Sequence, residues 1–297
     1  MTEFLQRWMP VDGSAHGAEL DYMTGLLHWL MAVLFVGWVL YFVYVLFRFR
    51  AGANPKASYT GVKSRFSSYI EIGVVVAEVI LLVAFAIPAW ARWVTPHDAT
   101  DDPLMVRVVG QQFAWNVQYP GPDGVFGPSD PHLVDEATNP IGLDRSGAGA
   151  RDDVVSINQL HLPVDRPVTV LLSTKDVIHS FFLPTMRVKQ DAIPGMEIPV
   201  HFKPVMTTPE DAKFPACAAA KSCWEIACAQ LCGLGHYRMR GFFMVHEQAD
   251  FDAWMDQQVA SVLAEYAEPE TAPAAEGDGA EAEPAAMEEG HEDHSSH

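Results

Sequence analysis

The stretch Thr24–Phe47, TGLLHWLMAVLFVGWVLYFVYVLF, carries no charged residue. That run limits the architectures open to the chain more than any other feature. About 20 apolar residues cross the hydrocarbon core of a bilayer as a helix, because inside lipid each backbone N–H and C=O must be satisfied within its own segment. A second run, Ile70–Val94, is apolar apart from Glu71, Glu78 and Arg92, and Pro88 falls near its end, where a kink is tolerated. The expectation is a transmembrane helix hairpin over 24–94 behind an N-terminal tail, 1–23. Trp29, Trp38, Trp90 and Trp93 lie along these spans, and those near the ends suit the interfacial belt. The link from Arg48 to Tyr69 carries Arg48, Arg50, Lys56, Lys63 and Arg65 and no acid, whereas four acids face Arg7 before Thr24. This asymmetry puts the hairpin loop in the cytoplasm and both termini outside, with Arg92 as a minor contrary vote. No basic stretch followed by a short apolar core opens the chain, so no cleavable signal peptide is expected.

Carboxylates at membrane depth are costly and point to function or to a protein neighbour. Glu71 sits near the cytoplasmic end of the second span. It reads either as an interfacial acid reaching water or as the mouth of a proton path. Glu78 lies seven residues further on the same helical face, so a multi-helix partner is expected around it.

After Pro96 the hydrophobic period changes. Leu104–Tyr119, Val154–Leu160, Val168–Thr174, Glu197–Phe202 and Gly241–His246 are short and β-rich, and Gly/Pro turns separate them. Such spacing predicts a β-sandwich or Greek-key barrel over 95–249. Gly121–Asp153 is polar and rich in Gly, Pro and Asp, and reads as an inserted loop rather than as core. Phe251, Trp254, Val259 and Leu263 predict a closing helix over 250–266. The formal net charge is −19, which argues against nucleic acid as a partner and suits a basic protein. Ten of the acids fall in 267–297 with no Lys or Arg, so that segment is expected to be a disordered acidic tail.

All four cysteines lie between Cys217 and Cys232. The informative run is Cys228-Ala-Gln-Leu-Cys232-Gly-Leu-Gly-His236-Tyr-Arg-Met239, which offers two thiols, an imidazole and a thioether in twelve residues. Soft sulfur with imidazole suits copper. Zinc more often shows paired C-x2-C ligands and does not seek Met. A redox dithiol is more often C-x-x-C beside a βαβ unit. Asp176-Val-Ile-His179-Ser-Phe-Phe-Leu-Pro184 supplies a second imidazole at a strand end. Alone, His179 would be an ordinary core histidine; beside the Cys/His/Met run it becomes a candidate ligand. His28, His97, His132, His161, His201 and His246 have no soft-ligand neighbours and read as structural or surface residues.

DVIHSFFLPTMRVKQDAIPG (Asp176–Gly195) and CAQLCGLGHYRM (Cys228–Met239) resemble the two copper segments of cytochrome c oxidase subunit II, and the layout of about 20–250 resembles that family throughout. The resemblance implies a cupredoxin-like Greek-key barrel behind the two helices, on the extracytoplasmic side of a bacterial-type inner membrane. It implies a dinuclear copper centre, CuA, with Cys228 and Cys232 bridging both ions. His179 and His236 would each cap one ion, Met239 would complete one sphere and the backbone carbonyl of Gln230 the other. Electrons would come from cytochrome c or an associated respiratory complex and pass to haem in subunit I, where oxygen is reduced to water and protons are pumped. Glu71, counted back from Pro88, matches the family's carboxylate at a proton-channel mouth. Lys189 and Asp191 match polar positions near subunit I.

Two departures matter. Many relatives have Glu where this chain has Gln230, and there the side chain helps hold an interfacial magnesium; that ligand role does not carry over. The family's aromatic electron port usually has Trp, whereas Gly110-Gln-Gln-Phe-Ala-Trp115 offers Phe113, with Trp115 as its neighbour; the plain alternative for both is core aromatics on a strand. Cys217 and Cys223 fall outside the family core, where an extracytoplasmic location favours a short-loop disulfide over free thiols. No Cys-x-x-Cys-His occurs, so haem is expected only in a partner. Three competing readings remain: a quinol-oxidising relative, which would lack the copper ligands; a membrane-tethered copper carrier or a nitrogen-oxide reductase; and a structural zinc protein.

Overall fold

The computed structural model describes residues 9–53, 55–56, 59–60, 64–95, 102–213 and 223–266. The expected acidic tail, 267–297, and Cys217 lie outside the described residues.

Helix α1 spans Gly17–Arg48 and begins well before the uncharged run. Its first two turns include Glu19 and Asp21, which apolar composition alone would not place in a span. They are held by tertiary contacts. Arg187 grips Asp21 through both carboxylate oxygens, at 2.8 and 3.0 Å, and this pair is nearly buried. Helix α2, Phe66–Leu81, passes through a π-turn, Leu82–Ala86, into α3, Ile87–Val94. The wider turn stands just before Pro88, whose ring lacks an N–H and crowds the preceding turn. Gly17–Arg48 and Phe66–Arg92 are both long and apolar enough to cross a membrane.

Beyond these helices lie two five-stranded sheets packed face to face, a cupredoxin-like β-sandwich. One sheet orders β1 (Leu104–Gln111), β2 (Ala114–Tyr119), β3 (Val154–Ile157), β5 (Val168–Thr174) and β8 (Ile198–Phe202) as β3-β2-β1-β5-β8. The other orders β4 (Gln159–Pro163), β6 (His179–Leu183), β7 (Val188–Ala192), β9 (Glu225–Cys228) and β10 (Arg240–His246) as β4-β10-β9-β6-β7. Along β1, buried and half-buried residues alternate, as a strand with one face on the core requires. Val106, Val108, Trp115, Val117, Leu172, Phe181, Ile226 and Phe243 meet between the sheets with no exposure.

Strand β2 departs from alternation and is buried along nearly its whole length. The cause is the insert 121–153, which folds back over the outer face of its sheet. Ile141, Leu143 and Ala150 form a small second core there against Val109 and Val155. The insert is a loop, as its composition predicts, but one with a small core of its own: its few apolar residues pack it against the sheet. Under it, Asp153 Oδ2 accepts from Gln118 Nε2 and the Gly127 N–H. The closing helix α4, Gln248–Glu265, is anchored by Phe251, Val259 and Trp254, whose ring stacks on His161 at 4.0 Å. Burial, with a smaller contribution from His246, pushes His161 down to about 3, so it is a neutral core residue, as the sequence suggested.

Candidate metal centre

Three segments converge at one end of the second sheet. His179 opens β6 and Cys228 closes β9, and these strands are antiparallel neighbours with Phe181 opposite Cys228. The chain then loops through Cys232 and a short 3-10 turn, His236–Arg238, to Met239, which directly precedes β10. The loop closes on its own stem, with the Cys228 N–H donating to the Met239 carbonyl at 3.3 Å.

Cys228 Sγ and Cys232 Sγ stand 3.8 Å apart. Cys228 Sγ is 3.8 Å from His179 Nδ1, and Cys232 Sγ is 3.7 Å from His236 Nδ1. Met239 Sδ lies 3.6 Å from Cys232 Sγ, and the Gln230 carbonyl oxygen 3.1 Å from Cys228 Sγ. Every candidate ligand named from the sequence is thus within this cluster, with one imidazole beside each thiol. The sulfur-rich side is shielded: His179, Cys232 and Met239 are buried, and the ring of Trp115 meets the His179 ring edge to face. Gly110 makes room for His179, since a Cβ there would stand 3.0 Å from its ring.

The electrostatics separate the thiols. Burial, and then the Cys228 sulfur beside it, pushes Cys232 up to about 12. Burial also works against ionisation of Cys228, but its contacts with His179 and with the backbone of Ser180 and Gln230 outweigh it and hold the thiol at about 6. One thiolate therefore forms readily and the second needs a cation. Burial disfavours charge on His179, yet Cys228 and Asp176 together raise its pKa. These residues fit a soft cation, because such a charge would allow both thiolates at once.

Asp176 was not singled out from the sequence as a site residue. Its Oδ1 accepts from His179 Nε2 at 2.8 Å and from the Val177 N–H at 2.6 Å, and its Oδ2 accepts from the Gln112 N–H at 2.6 Å. Against the cost of burial, these bonds keep its carboxyl below the usual range. With Nε2 committed to Asp176, His179 presents Nδ1 toward sulfur, the outer hydrogen bond typical of metal-binding histidines. The D-x-x-H spacing was the available signal.

The other candidates divide. Phe113 is half-buried over the ligand loop, with the Arg238 guanidinium 5.7 Å from its ring centre. Trp115 has no exposed surface and packs against Phe181 and His179, so its expected place at a surface port is corrected to a core aromatic. Glu71 is exposed on α2, away from the cluster. Glu78 faces a cleft of about 330 Å³ between the two spans, among Leu27, Leu30, Met31 and Leu82. Cys223 is disulfide-bonded, and Cys228 and Cys232 are free.

Residues 104–242 match the family model described as cytochrome C oxidase subunit II, periplasmic domain. The alternative cytochrome c oxidase subunit 2 of Bradyrhizobium diazoefficiens is 32% identical over 253 residues, spanning 84% of this chain and 83% of that protein. The chain belongs to the cytochrome c oxidase subunit II family. The subunit 2 of Thermostichus vulcanus is also 32% identical, over 54% of this chain, but this chain spans only 35% of that longer relative. Among solved structures, the periplasmic domain of subunit II of cytochrome oxidase from Bradyrhizobium japonicum is 27% identical, covering 57% of this chain and 99% of that one with a TM-score of 0.37. As a subunit II, the chain is a component of a haem-copper oxidoreductase, carrying an extracytoplasmic β-domain on two apolar helices. The ligand atoms of His179, Cys228 and Cys232 lie close enough together to hold a metal ion, as a copper-containing family leads one to expect.

Proposed function

We propose that this subunit II holds two copper ions as a CuA centre and carries electrons from cytochrome c to haem in subunit I. The observation that supports this most is the pairing of two adjacent thiols with one imidazole each, completed by one thioether and one backbone carbonyl. Two half-sites, each with its own imidazole and sharing both sulfurs, suit two ions better than one. When bound, the copper pair supplies a one-electron couple outside the membrane.

The chain's own residues do the rest. Cys228 and Cys232 would bridge as thiolates, His179 and His236 would bind through Nδ1, and Met239 and the Gln230 carbonyl would each complete one ion's ligands. Asp176 holds the proton on His179 Nε2 and fixes the ring. Trp115, Phe181 and Met239 exclude water from the buried side, and the sandwich keeps ligand positions nearly constant as charge changes. Phe113 is proposed as the surface contact for the donor, and Glu71 as the mouth of a proton path at the cytoplasmic end of α2, in a multi-pass inner-membrane complex. The side chain of Gln230 is exposed and uncharged, so no magnesium role is assigned to it. Cys217 is proposed as the partner of Cys223.

Loading the full-length protein in detergent with copper and recording its EPR spectrum tests the reading. A multiline pattern from one electron shared between two copper nuclei, lost in Cys228→Ser and in Cys232→Ser, is expected. A single-copper pattern would remove the dinuclear assignment.

A further inference from the structure

Gln112 is outside the proposed ligand set, yet it touches both halves of the site. It stands between β1 and β2, in the first sheet, whereas the ligands belong to the second sheet and its β9–β10 loop. Its backbone N–H donates to Asp176 Oδ2 at 2.6 Å, the carboxylate that orients His179. Its side-chain Nε2–H donates to the carbonyl oxygen of Cys232 at 2.5 Å. One residue therefore ties the His179 side and the Cys232 side of the site to a common point on the opposite sheet.

The ligand loop is shaped to receive this contact. Gly233 has φ of +129°, a backbone conformation open to glycine and rarely to other residues, and a Cβ there would stand 2.6 Å from Gln112 Nε2. A Cβ at Gly235 would overlap the Phe113 ring. The loop needs an external hold. Its regular structure is a single 3-10 turn, and Leu231, Leu234 and Tyr237 project outward, at 75%, 98% and 85% exposure, giving it little packing of its own.

We propose that Gln112 is a positioning residue for the metal site: its amide latches the Cys232–Gly235 segment to the β1–β2 connection and so sets where the second thiol stands. This rests on the copper-pair reading. Gln112 contacts no ligand atom, so it acts through the backbone of Cys232 and through Asp176. Removing the donor frees the loop without altering any ligand. Outer hydrogen-bonding partners of this kind are worth roughly 10–100-fold in metal affinity.

Gln112→Met keeps the side chain's length and removes its donor. In the full-length chain in detergent, copper affinity measured by competition against a chelator should fall roughly 10–100-fold. The hyperfine pattern of the loaded protein should change, while melting of the metal-free chain stays at the wild-type value. Unchanged affinity and hyperfine pattern would overturn the latch, and so would a loss accompanied by lowered metal-free melting, which marks general destabilisation. Should Gln112→Met fail to fold, Gln112→Asn, one methylene too short to span the gap, carries the same expectations. A wild-type chain that takes up no copper pair would overturn both the metal reading and the latch. A wild-type pair with an indifferent variant overturns only the latch.

Discussion

In α1, Phe35 is 68% exposed and Trp38 67%, whereas in β2 Trp115 and Tyr119 have no exposed surface. Residues of the same chemistry meet opposite surroundings within one chain. The apolar side chains of the anchor face outward because their partner is lipid or a neighbouring helix, and each helix satisfies its backbone by itself. Those of the sandwich face one another because their alternative is water. The anchor is thus defined by its own sequence run, and the outer domain by contacts distant in sequence. The two regions meet at Asp21 and Arg187, where an anchor residue obeys the rules of the domain.

Substitutions in the two regions should differ accordingly. Trp115→Ala would empty the largest buried volume beside His179 and destabilise the domain by about 3–5 kcal/mol, read as a shifted denaturation midpoint of the detergent-solubilised chain. A loss below about 1 kcal/mol would show that the ring is not close-packed. Arg187→Met leaves Asp21 buried without its partner, and breaking such a pair costs about 3–5 kcal/mol. Faster proteolytic separation of the anchor from the domain would report it, and wild-type protease resistance would show that the joint does not depend on this pair.

Gly235→Ala drives a methyl group into the Phe113 ring, and overpacking of this kind costs about 1–3 kcal/mol. Melting of the metal-free protein reads it, and an unchanged melt would mean that the ring moves aside freely. Asp153 gives a pH-dependent case. Burial raises its carboxyl above the usual value against its hydrogen bonds, and its Oδ1 has no partner among the described residues. The folded state therefore favours the protonated form, and stability drawn from it is present at low pH and lost as pH rises through the raised value. Asp153→Asn keeps an acceptor for Gln118 and Gly127 and removes the charge. It should stabilise the chain at neutral pH by on the order of 1 kcal/mol and flatten the acid side of the stability profile. Equal stability at neutral pH would show that the orphan oxygen is solvated. Phe35→Ala, on the outward face of α1, should change stability by under about 0.5 kcal/mol. A loss of several times that would mean that the anchor packs against something as tightly as the sandwich does.

Much of the site was legible because its ligands cluster in sequence. Cys228, Cys232, His236 and Met239 fall within one loop, and the thioether beside two thiols and an imidazole favours copper over zinc. Asp176 and Gln112 were harder to find, because carboxylates and amides are common on surfaces and acquire meaning only from the atoms they reach. Trp115 shows the converse: its place in an aromatic motif suggested a port, and only the sandwich determined that its ring turns inward. Strands β6 and β7 escaped the pattern because polar residues interrupt them: β6 starts with His179 and Ser180, buried against the site, and β7 carries Lys189, Gln190 and Asp191.

The amino-acid order alone determined that this chain has two helices apolar and long enough to cross a membrane, a β-rich domain and a soft-metal motif, because each depends on a local run: apolar length, alternation, or close-spaced candidate ligands. Only the tertiary structure decided which residues hydrogen-bond to the candidate site, where α1 begins, and that the insert covers β2. Gln112 lies 120 positions from Cys232 and Asp21 lies 166 from Arg187. Contacts across such separations leave no periodic trace in sequence and exist only once the chain has folded.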